Sequence, residues 1–277
     1  MIAVMVLTQF AFLSTLMAVK TITHKTEELL YFLLWNADTL IRPTFRNLTD
    51  SFESWMYGQG FLRQLRLLER RQLLERNTDL IGPRRHRLTE QGRLLALGGR
   101  DPEAAWNRSW DGQWRLVVFD LPETKSTLRT RLRRFLKDHG FGYLQNSVWI
   151  TPDPLGKLLR DWSGGHTVES LITLEARPSS GESNSAIVLG AWGFDYINRL
   201  YARYLRVLEN PPKQRATTAE AAEALRRWAR MEREAWLQVV STDPLLPDAL
   251  LPDGYRGREA WQKRQKALTQ AGRLIRG

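Results

Sequence analysis

The chain has 277 residues, 43% of them hydrophobic, with 11 tryptophans and 10 phenylalanines, enough for two or three compact units at roughly 150 residues per domain. It contains no cysteine, which excludes disulfides, thiolate zinc sites and cysteine nucleophiles and fits a reducing compartment. The formal net charge of +11 is unevenly spread: Phe61 to Arg100 holds ten arginines against four acids, and Thr124 to Lys137 holds six basic residues and no acid. Positive charge gathered in this way favours a polyanionic partner.

The chain opens on MIAVMVLTQFAFLSTLMAV, 19 residues without a charged side chain. A helix of that length just spans a bilayer core. Thr8, Gln9, Ser14 and Thr15 interrupt it, however, and the basic n-region of a secretory signal is missing. A buried or oligomer-forming helix in an apolar extension, residues 1–24, is the preferred reading. Membrane attachment through residues 1–19 is the lesser alternative.

Lys25 to Asn36 places Leu29, Leu30, Leu33 and Leu34 at helical spacing, with Glu27 and Glu28 in the first turn. After Pro43, the residues Phe45, Leu48, Phe52 and Trp55 or Met56 predict a second helix. A third runs from Phe61 to about Arg71 with Leu62, Leu65 and Leu68 inward. LLERNTDLIGPRRHRLT predicts two short strands around a turn near Asn77 to Pro83. TEQGRLLAL predicts a closing helix capped by Thr89. The pattern over residues 25–98 is that of a winged helix-turn-helix, in which the third helix enters a major groove and the wing touches phosphate or minor groove. Arg63, Gln64, Arg66 and Arg70 on the third helix, and Arg84, Arg85, His86 and Arg87 on the second wing strand, are the candidate DNA contacts. Arginine suits both tasks because its fork pairs with guanine or with phosphate oxygens. A small helical domain with a solvated basic face would show the same periodicity.

GGRDPEAAWNRSW carries turn residues and predicts a linker over residues 99–109. Residues 110–178 change character. A buried strand, Trp114 to Phe119, precedes a helix from Thr124 to His139 closed by Gly140. Strands at Phe141 to Leu144 and Val148 to Thr151, a helix at Leu155 to Trp162 and a strand at Val168 to Glu175 complete a βαββαβ, ferredoxin-like order. Residues 179–277 read as mainly helical. They hold a strand or short buried run at Ala186 to Leu189 and a helix from Trp192 to Leu208. A long helix follows, capped by Thr217 with Glu220 and reaching about Val240, then a proline-punctuated segment and a last helix from Arg258 to Ile275. The fold class is therefore α+β: winged helix-turn-helix, ferredoxin-like middle domain, helical C-terminal domain.

Catalytic constellations are sparse. The four histidines, at 24, 86, 139 and 166, include no pair at metal-ligand spacing, and no phosphate-cradling glycine loop or nucleophile elbow occurs. No cofactor is expected. Asp120, ending the strand in WDGQWRLVVFDLPE, has two readings. It holds Mg²⁺ as half of a site shared across a symmetric dimer, or it bonds the exposed amides of the turn into the next helix. The structural reading is preferred.

WDGQWRLVVFDLPE and LRTRLRRFLKDHGFGYLQNSVWITPDP resemble the central segment of PaaX-like transcriptional regulators, named for the repressor of phenylacetate catabolism. AWGFDYINRLYARYLRVLE and DPLLPDALLPDGYRG resemble that family's C-terminal region. The resemblance covers roughly Lys25 to Arg264. It implies a cytoplasmic, nucleoid-associated homodimer that is not an enzyme, binds double-stranded DNA through its winged helix, represses transcription and is released by a small acyl-coenzyme A effector. Trp192, Tyr196 and Tyr204 mark where such a thioester would rest, though helical aromatic stripes are more often core. Gln72 stands where the family typically has glycine, and the apolar leader lies outside the pattern. The middle segment also resembles the metal-dependent nuclease subunit of CRISPR adaptation complexes, which keeps cleavage at Asp120 as the alternative function.

Overall fold

The computed structural model describes residues 24–36, 62–77, 85–156 and 171–275. In chain order these form α1 (His24–Asn36), α2 (Leu62–Arg70), β1 (Leu74–Asn77), β2 (Arg85–Leu88), α3 (Glu90–Ala96), α4 (Pro102–Trp106), β3 (Trp114–Phe119), α5 (Ser126–Asp138), β4 (Gly142–Gln145), β5 (Val148–Thr151), β6 (Leu171–Ala176), α6 (Asn184–Ala191), α7 (Phe194–Leu208), α8 (Ala219–Thr242) and α9 (Gly257–Ile275). The apolar leader, the helix expected over Phe45 to Met56, the turn residues 78–83 and most of the helix expected at Leu155 to Trp162 lie outside the described residues. No helix among the described residues is long and apolar enough to cross a membrane.

By compactness the chain divides into two units. One comprises Met1–Asp101, Ala202–Gln238 and Arg258–Gly277; the other comprises Pro102–Tyr201 and Val239–Gly257.

In the first unit, Leu29, Leu30, Tyr31, Phe32 and Leu33 are all buried on α1. Five consecutive buried positions turn through more than a full circle, so this stretch of α1 is enclosed on every side. The antiparallel hairpin β1–β2 pairs Leu74 with Leu88 and Asn77 with Arg85. Thr89 caps α3 as its position predicts, its hydroxyl accepting from the Gly92 amide at 3.0 Å. The cap of α8 is corrected by one residue. Thr218 Oγ1, not Thr217, accepts a first-turn amide, that of Ala221 at 3.2 Å.

In the second unit, a four-stranded sheet has the order β4-β5-β3-β6 with every neighbouring pair antiparallel. That is the order and direction expected of the split βαβ plan. Val117, Phe119 and Trp149 from the sheet pack with Leu132 and Leu136 of α5 and with Leu121 and Phe141. Each such side chain contributes roughly 1.5–3 kcal/mol through removal from water. Gly140 takes φ +79° after α5, ending the helix as expected.

Two expectations are revised here. Ala186 to Leu189 is not a strand but part of α6, because Ser183 accepts from the Ala186 amide at 3.0 Å and only Val188 and Ala191 of that helix are buried. The β-branched pair Ile187-Val188 suggested extension; the cap decides otherwise. The stretch expected to be a linker holds α4, whose Trp106 is 1% exposed and donates to Tyr255 Oη at 3.1 Å.

Candidate nucleic-acid interface

Three of the candidate arginines share one face. Arg63, Arg66 and Arg70 stand at steps of three and four residues along α2, all exposed, and none forms an ion pair among the described residues. Leu68, on the opposite side, is fully buried and anchors the helix. Gln64 is not on the arginine face. It is half-buried, and its Oε1 is shielded without a hydrogen-bond partner among the described residues. Arg85, His86 and Arg87 lie in β2, paired in register with Asn77, Arg76 and Glu75, while Arg84 lies outside the described residues.

The corner between helix and hairpin is tightly specified. The Leu73 amide donates to Leu68 O at 2.9 Å and the Gln72 amide to Glu69 O at 2.9 Å, closing α2 with Gln72 at φ +57°. Thr89 Oγ1 donates to Gln72 O at 2.8 Å, and the Thr89 amide donates to Leu73 O at 3.1 Å. A Cβ on Gly92 would stand 2.0 Å from Leu73 O, so α3 requires glycine there to lie against the hairpin base. Gln72 is thus a left-handed residue that is not glycine, its carbonyl held by a side chain seventeen positions away.

Beneath α1 lies a polar network that sequence reading did not anticipate. Glu28 accepts from Arg226 of α8 at 2.7 and 3.1 Å, and Glu27 accepts from Arg233 at 3.3 Å. Arg264 of α9 and Glu232 of α8 are both fully buried and paired at 2.9 Å, with Tyr204 also donating to Glu232. The Arg264 guanidinium stacks 4.4 Å from the Trp236 ring centre and approaches Trp261 and Tyr31 at 5.8 and 5.7 Å. Burial pushes the Glu232 carboxyl above its ordinary range, against the opposing pull of Arg264. Burial likewise raises the Tyr204 phenol.

In the second unit Asp120 is exposed at the end of β3 and makes no hydrogen bond among the described residues. The expected bonding of Asp120 to the following turn is therefore not observed. The turn is closed instead by the Lys125 amide on Pro122 O at 2.9 Å and by Arg129 donating to Leu121 O. No group of three or more His, Asp or Glu able to hold a metal gathers among the described residues.

Arg115, buried on β3, donates to Asp111, Glu175 and the Pro152 carbonyl. Its hydrogen bond holds the Asp111 carboxyl below the ordinary range, and Asp111 in turn raises Arg115. Arg108 grips Asp153 through both forks at 2.7 and 3.0 Å and donates to the carbonyls of Ala105 and Leu245. Asp243, also buried, accepts from Tyr201 Oη at 2.6 Å and from Tyr255. These knots fix the proline-punctuated segment, where Leu245 takes φ +52°. Among the aromatics expected near an effector, Trp192 is buried with Nε1 on Gly140 O at 3.0 Å, Tyr204 is buried, and Tyr196 is exposed. Trp192 and Tyr204 are thus core, the simpler reading.

Residues 107–188 match the PaaX protein central Cas2-like domain, and residues 192–273 match the PaaX-like protein C-terminal domain. Among solved structures, an uncharacterized protein from Mycobacterium tuberculosis is similar over 88% of this chain and 94% of its own, at 21% identity and a TM-score of 0.49. No curated protein matches the chain.

Proposed function

This chain belongs to the PaaX-like family, whose members are generally transcriptional regulators, and on that premise we propose that it is a homodimeric, DNA-binding repressor. The operator contacts in this reading come from Arg63, Arg66 and Arg70 of α2, with Gln64 at their border. Arg84, Arg85, His86 and Arg87 form the wing of a winged helix-turn-helix. A small acyl-coenzyme A-type effector releases the protein from DNA. The observation that carries the reading is the exposed arginine face of α2, where Arg63, Arg66 and Arg70 outnumber the helix's single acid, Glu69, set directly before a basic hairpin. Guanidinium groups presented at helical spacing suit base edges and phosphates of a major groove.

The alternative reading, a metal-dependent nuclease using Asp120 of the Cas2-like domain, is tested by a Mg²⁺ or Mn²⁺ cleavage assay with and without Asp120→Asn; intact DNA and RNA with either metal would overturn it. The test of the repressor reading is recovery of genomic DNA bound to the full chain, followed by quantitative binding to a recovered site. Replacing Arg63, Arg66 and Arg70 together by alanine is expected to abolish preference for that site over random duplex. Undiminished preference would overturn the assignment of α2.

A further inference from the structure

We propose that the outer face of α5 is a second, sequence-independent contact for the phosphate backbone of double-stranded DNA. The inference rests on the reading of the chain as a DNA-binding protein, but on a different surface.

Helix α5, STLRTRLRRFLKD, turns Leu132 and Leu136 into the sheet core, with Leu128 and Phe135 packed against it. Its outward side carries Arg131, Arg133, Arg134 and Lys137, all exposed, together with the hydroxyls of Ser126, Thr127 and Thr130. Two of the helix's arginines are tied to their own domain. Arg129 donates to Leu121 O, and Arg133 donates to Asn146 O at 3.3 Å. Arg131, Arg134 and Lys137 have no ion pair among the described residues. The helix has a single acid, Asp138, at its last position, where the helix dipole disfavours negative charge.

Helix stability does not account for this arrangement. Like charges three and four residues apart, as at Arg131–Arg134 and Arg133–Lys137, each cost a few tenths of a kcal/mol, and interleaved glutamates would relieve them. Elsewhere in the chain arginines do meet carboxylates, as at Arg226–Glu28, Arg233–Glu27 and Arg108–Asp153. The separation also fits a phosphate row. Arg131 to Lys137 covers about 9 Å of helix axis, against about 3.4 Å of axis per charge along one DNA strand. The Ser126 and Thr127 hydroxyls at the start of the helix add neutral donors of the kind that contact phosphate without reading sequence, while that of Thr130 is engaged on Ser126 O at 3.0 Å. A duplex backbone is the ligand whose charge and repeat this face complements.

The experiment measures affinity of the full chain for a long random-sequence duplex as a function of salt. It compares wild type, Arg131→Ala/Arg134→Ala/Lys137→Ala, the charge-retaining Arg131→Lys/Arg134→Lys, and Arg63→Ala/Arg66→Ala/Arg70→Ala. The triple alanine variant of α5 should bind at least about tenfold more weakly at low salt, with the slope of log affinity against log salt reduced by about two to three. The lysine variant should keep the wild-type slope. Thermal midpoints should be unchanged, since these side chains hold nothing in place. If the α5 alanine variant matches wild type while the α2 variant weakens, the inference fails and the α2 assignment stands. If wild type binds no duplex at low salt, both fail together. Loss of binding in the lysine variant as well would overturn a contact based on charge.

Discussion

Arg264 and Glu232 form a fully buried ion pair, 2.9 Å from Nε to Oε1, with the guanidinium laid against Trp236. One oxygen of Glu232 and one nitrogen of Arg264 have no hydrogen-bond partner among the described residues. The pair therefore offsets its own desolvation incompletely. Arg264→Met alone leaves a buried carboxylate and is expected to cost about 3–5 kcal/mol, whereas Arg264→Met with Glu232→Met should recover most of that loss. Because the Glu232 carboxyl already lies above its ordinary range, the folded state of the single variant holds a proton there more tightly than the unfolded state. Its deficit should shrink as pH is lowered. Urea denaturation of wild type, Arg264→Met, Glu232→Met and the double variant at two pH values checks both points, and additive losses in the cycle would contradict the coupling.

Gln72 and Gly92 give opposite outcomes on the two sides of one corner. Gln72 has φ +57° without being glycine, a conformation costing roughly 1–2 kcal/mol that glycine avoids at some expense in unfolded-state entropy. Gln72→Gly should therefore stabilise by up to about 1 kcal/mol. Gly92→Ala would push a methyl to 2.0 Å from Leu73 O and should destabilise the hairpin–α3 junction by several times that amount. Chemical denaturation reads both. Stabilisation by Gly92→Ala would show that α3 does not lie against the Leu73 backbone.

The local grammar of the chain was legible where one residue type decides one geometry. Thr89 as a cap, Gly140 as a helix stop and the short apolar run Trp114 to Phe119 each placed an element correctly. Ala186 to Leu189 misled because β-branched residues in a short apolar run do not distinguish strand from buried helix, and Ser183 settled the matter. The exposed arginines of α2 were readable from periodicity, but the inward turn of Gln64 was not. The buried network was announced by a signal left unused: Glu232 interrupts the apolar row Leu225, Ala229, Trp236, and Arg264 interrupts the row Ala260, Ala267, Ala271. A charge inside a helical apolar stripe demands a partner. Which partner depends on tertiary packing that spacing along one helix cannot supply.

Tyr201, Tyr204 and Tyr255 make the chain sensitive to alkali. Burial raises all three phenols above the ordinary value of 10.0, and Asp243 adds to the rise for Tyr201 and Tyr255. Raised folded values mean that the folded state keeps protons the unfolded chain loses. The contribution is complete below about pH 10 and is lost as pH climbs above it. Each phenol adds about 1.4 kcal/mol per pH unit to the decline. Stability from urea unfolding between about pH 9 and 11 should fall steeply, and Tyr255→Phe should flatten the fall by about one tyrosine's share. An unchanged slope in Tyr255→Phe would mean that this phenol titrates alike in both states.

The wing and the α2 face should separate in their effects on DNA. Arg84 and Arg87 belong, in the proposed arrangement, to phosphate contacts, so replacing both by alanine should weaken binding to operator and random duplex alike. The salt slope should fall by about one unit per lost contact. Arg63 acts on base edges in the same reading, and Arg63→Ala should cost about 1–3 kcal/mol on the recovered site and relax its sequence preference. Gln64 offers a sharper check. Its Oε1 is shielded from solvent, so Gln64→Ala should change sequence preference only if the side chain turns outward on DNA. Salt titrations against both duplexes distinguish these outcomes, and a double wing variant with wild-type affinity and slope would remove β2 from the interface.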